Sequence, residues 1–69
     1  MAVNFDSRCS SCGETHFCHL SSADFVTPGA AYYLSCPKTA NPATVIAPDG
    51  WHKVEYTRPS GAVDVRERP

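Results

Sequence analysis

Four cysteines and three histidines carry the chemistry open to this sequence. Two of the cysteines stand three residues apart in Cys9-Ser10-Ser11-Cys12-Gly13. At that spacing a tight turn can direct both sulfurs at one cation while backbone N–H groups face the thiolates, and the following glycine supplies the positive φ that such a turn needs. A third cysteine, Cys36, ends an apolar run and is followed by Pro37, as the start of a second turn would be. His16, Cys18 and His19 lie a short way beyond the first pair. Thiolate and imidazole donors suit a borderline-soft ion, which points to zinc. One structural Zn2+ held mainly by Cys9, Cys12 and Cys36 is therefore expected.

This layout resembles the zinc-ribbon family of small β-hairpin domains, whose first turn reads Cys-x2-Cys-Gly and whose second reads Cys-Pro-x-Cys. The likeness covers residues 9–39. It implies hairpins around one structural zinc and, as in the family generally, partners among nucleic acids or the transcription and translation machinery. The sequence departs from the pattern at Thr39, three residues after Cys36, because a neutral hydroxyl is a poor zinc ligand beside thiolates. A fourth ligand must then come from elsewhere. Thiolate softness favours Cys18. Reach favours His16, since an extended strand rises about 3.3 Å per residue and carries Cys18 away from the turn unless the chain curls back. Cys18 is the expected fourth ligand, His16 the alternative, and His19 a remoter one.

An open fourth position would leave a zinc-bound water, which is a nucleophile near neutral pH. Three thiolates blunt the Lewis acidity of the ion, and no His-x-Glu or His-Glu-x-x-His pattern places a general base. The chain is thus expected not to be an enzyme. Two other readings stay open. Cys9 and Cys12 could serve thiol-redox chemistry or a small metalloenzyme, although no helix follows them to lower a thiol pKa. The cysteines could instead staple a secreted peptide as disulfides. Residues 1–6 lack the basic and apolar regions of a signal peptide, so the expected compartment is the cytoplasm, where clustered thiols more often bind metal than pair.

Short strands must position these groups. Val3 and Phe5 alternate with polar neighbours in residues 1–8, and residues 15–20 set His16, Cys18 and Leu20 on one face. Residues 31–36 are aromatic-rich, and residues 43–47 and 51–56 read as two further strands. Pro28-Gly29 and Asn41-Pro42 break the chain, and Pro48-Asp49-Gly50 is expected to close a hairpin between the last two strands. The fold class expected is small all-β, with little or no helix. One domain is expected over residues 1–57, with a flexible tail over 58–69 in which Val63 and Val65 alternate but do not pair. The expected core is Phe5, Phe17, Tyr32, Leu34, Val45, Ile46, Trp51, Val54 and Tyr56. His52 reads as a half-buried strand residue rather than a ligand.

A chain of 69 residues is one small domain. Ordering it costs roughly 1.5 kcal/mol per residue, which a core this thin barely offsets, so a staple is needed. Six Lys and Arg face seven Asp and Glu, for a net charge of -1. Nucleic acid binds through clustered cations, which are missing, so the expected macromolecular partner is a protein rather than a nucleic acid. Residues 28–34 form the longest low-polarity stretch, far too short to span a membrane.

Overall fold

Period-two alternation becomes six strands in the computed structural model, which describes residues 1–68. They are β1 (Ala2–Arg8), β2 (Thr15–Leu20), β3 (Ala31–Ser35), β4 (Pro42–Ile46), β5 (His52–Val54) and β6 (Val63–Asp64). The fold is all-β, as the sequence implies. Among the described residues no helix is long and apolar enough to cross a membrane.

Two antiparallel hairpins dominate. β1 and β2 pair from Val3 opposite Leu20 to Arg8 opposite Thr15. β3 and β4 pair from Ala31 opposite Ile46 to Ser35 opposite Pro42. The loops that close them, residues 9–14 and 36–41, each begin with a cysteine. β5 and β6 flank the first hairpin, giving sheet order β5-β1-β2-β6 beside the two-stranded β3-β4 sheet.

The hairpins are joined along two seams. On one, the Ser10 N–H donates to the Thr44 carbonyl at 3.1 Å, and the Ser7 hydroxyl donates to the Ile46 carbonyl at 2.6 Å. On the other, the Val65 N–H donates to the His19 carbonyl at 3.0 Å, and Tyr33 and Arg66 exchange backbone bonds of 2.8 and 2.9 Å. Backbone pairing thus runs round in a ring, and alternate side chains point into it. Val3 and Phe5, Cys18 and Leu20, Tyr32 and Leu34, and Ala43 and Val45 fill the interior with Val26 and Val65. The Phe5 and Tyr32 rings lie 6.1 Å apart at a tilt of 57°. Fully burying a side chain such as Phe5, Leu20 or Val45 contributes about 1.5–3 kcal/mol.

Three expectations are corrected. Pro48-Asp49-Gly50 closes no hairpin: β4 is taken on one side by β3 and on the other by Ser7 and Ser10, so the chain crosses over and lays β5 against β1, with His52 opposite Asn4. Phe17, Ile46 and Tyr56 are exposed and Trp51 and Val54 only half-buried; Phe17 pairs with Asp6 on the outer face. Residues 58–68 are not a loose tail. β6 runs parallel to β2, Ala62 and Val65 are buried, and the Arg58 guanidinium holds Asp64 at 2.8 Å. Pro69, the last residue of the expected tail, lies outside the described residues.

Candidate metal centre

The two cysteine-led loops face each other at one end of the ring and are built alike. In the first, the Cys9 N–H donates to the Glu14 carbonyl at 2.9 Å and the Gly13 N–H to the Cys9 carbonyl at 3.0 Å. In the second, the Cys36 N–H donates to the Asn41 carbonyl at 2.9 Å and the Ala40 N–H to the Cys36 carbonyl at 2.8 Å. Both chains turn through a left-handed residue at the fifth position, Gly13 at φ 75° and Ala40 at φ 59°. Glycine adopts that conformation freely, whereas alanine is strained in it. Backbone N–H groups are thereby aimed at sulfur: Ser11 N–H lies 3.4 Å from Cys9 Sγ, and the Lys38 N–H bonds Cys36.

Cys9, Cys12, His16 and Cys36 converge, their donor atoms all within 4.8 Å of one another. Such a Cys3His set can hold a metal ion. The first hairpin supplies three of the four. His16 is turned so that Nε2 stands 3.3 Å from Cys12 Sγ and 3.7 Å from Cys36 Sγ. Cys9 and Cys36 are buried, and Cys12 is half-buried at the rim.

The electrostatics favour thiolate at Cys36, whose pKa is lowered to about 5. The chief cause is the hydrogen bond from the Thr39 hydroxyl; backbone N–H groups and His16 assist against the cost of burial. At Cys12 the Glu14 N–H lowers the pKa, but burial and the neighbouring sulfurs of Cys36 and Cys9 outweigh it, and the net shift is upward. Crowded sulfurs resist sharing negative charge, which a cation would relieve. Across the top, Lys38 of the second loop pairs with Glu14 of the first. That pairing lowers the Glu14 pKa and, together with the nearby Cys12 and Cys36, raises that of Lys38.

Cys18, the expected fourth ligand, stands outside this group. It shares a face with His16 but sits one strand repeat deeper, opposite Phe5, where His16 sits opposite Ser7. Its Sγ donates to the His16 carbonyl at 3.5 Å within the core. Burial above all, with the charges of Asp6 and Cys9, pushes its pKa up to about 12, which favours the neutral thiol. His19 lies on the opposite side of β2, buried, with Nδ1 2.7 Å from Asn4 Oδ1. His52 is exposed on β5.

Sequence reasoning missed the links from the first loop to the second hairpin. Ser11 and Thr39 share a hydroxyl hydrogen bond of 2.6 Å, and Ser10 Oγ receives the Thr44 N–H at 2.9 Å. The signal available was the equal spacing of Cys9 to Cys12 and Cys36 to Thr39.

The features together define a small all-β domain with a cluster able to hold a metal. The chain matches no protein-family model, no curated protein and no solved structure.

Proposed function

We propose that this chain is a small interaction module stapled by one structural zinc ion on Cys9, Cys12, His16 and Cys36. The observation that carries this reading is the convergence of four donors, drawn from two hairpins, within 4.8 Å. Three thiolates and an imidazole are a typical zinc donor set, and a closed set of four leaves no site for a reacting water. The module is accordingly non-enzymatic and acts as an accessory or regulatory protein in the cytoplasm. Facing cysteine loops are also what the zinc-ribbon likeness implies, though only one of them carries two cysteines.

The near balance of charge, -1 overall, supports a protein partner over a nucleic acid. Elemental analysis of purified protein tests the metal. About one zinc per chain is expected, and chelation should abolish cooperative melting, because metal binding in such domains supplies roughly 10–16 kcal/mol toward folding. Metal-free protein that melts cooperatively would overturn the reading. Capture from the native host with the zinc-loaded chain tests the partner; recovery of nucleic acid instead of protein would reverse the assignment.

A further inference from the structure

Thr39 occupies the same seat in the second loop that Cys12 occupies in the first. Each is the fourth residue of a six-residue loop closed by the same two backbone hydrogen bonds and the same left-handed fifth residue. The correspondence reaches the side chains. The Glu14 N–H bonds the side chain of Cys12, and the equivalent Asn41 N–H donates to Thr39 Oγ1 at 3.3 Å. Thr39 is also turned toward the opposite loop, where its Oγ1 lies 2.6 Å from Ser11 Oγ. A sulfur in place of that oxygen would enter the cluster from the second loop as Cys12 does from the first.

We propose that Thr39 fixes the composition of the metal centre: it holds the seat of a fourth thiolate with a group that does not ligate, and so His16 of β2 completes the set. This inference rests on the metal-binding reading above. Thr39 is thus a positioning residue whose hydroxyl orders Ser11 and Asn41 around the ion. A thiolate in its seat displaces the imidazole, since sulfur from the loop closes the site without help from the strand.

The test uses cobalt(II) as the probe, in the full chain and in Thr39→Cys, each with and without His16→Ala. In the unsubstituted chain, His16→Ala should weaken cobalt binding by more than about tenfold, at least the loss caused by removing an outer-shell partner. In the Thr39→Cys background the same change should cost less than about threefold, because the two residues are then no longer coupled through the ion. Thr39→Cys alone should move the cobalt d–d bands to longer wavelength and strengthen the thiolate charge-transfer band. An unchanged spectrum, with His16→Ala equally costly in both backgrounds, overturns the proposal. If Thr39→Cys fails to fold, Thr39→Ala decides: tetrahedral d–d intensity that is retained, with His16→Ala still costing more than about tenfold in that background, supports a non-ligating Thr39, and collapse of that intensity overturns it. Failure of the unsubstituted chain to bind cobalt would instead sink the metal-binding reading itself, and the inference with it.

Discussion

His16 Nε2 and Cys12 Sγ stand 3.3 Å apart although the two residues are four positions apart in the chain. Four extended residues would span about 13 Å, so the contact exists only because the loop turns back at Gly13 before β2 begins. Cys18 lies farther along the same face, beyond the reach of that turn. His16→Ala should therefore weaken zinc binding by more than about tenfold, a loss at least that of an outer-shell partner. Cys18→Ala should leave affinity unchanged while costing about 1 kcal/mol in a denaturant melt, since it trims a buried side chain. Competition with a chelating dye reads the first quantity. Equal affinity losses in both variants would place Cys18 at the ion.

To whatever extent the metal-free chain stays folded, Cys36 and Cys18 should titrate on opposite sides of the ordinary thiol value. Cys36, lowered from 9.0 to about 5 with the Thr39 hydroxyl as the leading cause, favours folding above its unfolded pKa, and that contribution is lost as pH falls through 5. Cys18, raised from 9.0 to about 12 chiefly by burial, acts in the other direction. Its contribution is complete below 9.0 and disappears as pH rises toward 12. Ultraviolet thiolate absorbance during a pH titration should show one early ionisation, absent in Cys36→Ser. In a metal-free chain still folded by circular dichroism, Cys36 titrating near 9.0 would contradict this electrostatic account.

Ala40 and Gly13 offer a matched pair of substitutions with opposite signs. Both residues turn left-handed, at φ 59° and 75°, and no heavy atom lies within 4 Å of a Cβ built at Gly13. Gly13→Ala should destabilise by about 1–2 kcal/mol through backbone strain alone. Ala40→Gly relieves the same strain but loosens the unfolded chain, for a net gain of about 1 kcal/mol or less. Urea melts of the zinc-loaded proteins measure both. Destabilisation by Ala40→Gly would mean that the alanine methyl contributes packing there.

The strands were largely legible because period-two alternation survives in them: Val3 and Phe5, Tyr32 and Leu34 all point inward. Partner choice was not. Pro48-Asp49-Gly50 has the composition of a hairpin turn, yet both sides of β4 were already taken, a fact set by residues far away in sequence. That Cys9, Cys12 and Cys36 come together was legible from their turns. That His16 rather than Cys18 stands beside them was not, because the two share a face and only the register against β1 sets their depth. Two alternating valines among charged residues were too short a pattern to identify β6, whose pairing depends on the exposed flank of β2.

The segment from β6 to Arg66 should matter for stability. Val65 is buried, and burial of such a side chain contributes about 1.5–3 kcal/mol, to which the bonds between Tyr33 and Arg66 add. Deleting the chain from Gly61 onward should lower the melting temperature by several degrees or more. A melt indistinguishable from that of the intact protein would show that the segment contributes nothing to the fold.

Asn4 and His19 bury a polar pair between neighbouring strands, joined at 2.7 Å. Asn4→Ala strips His19 of its partner and should cost about 1–3 kcal/mol, the usual penalty for orphaning a buried polar group. Thermal denaturation checks it. Zinc affinity should stay the same, since His19 faces away from the cluster.

Three of the four donors belong to one hairpin and the fourth to the other. Capture can therefore begin locally: a nascent β1–β2 unit can grip the ion with Cys9, Cys12 and His16 before anything distant has organised. Cys36 would then arrive as a latch, drawing β3 and β4 into place behind it. A cation held there would be a nucleation point for the remainder of the chain, and prying the hairpins apart would tear at least one sulfur from it.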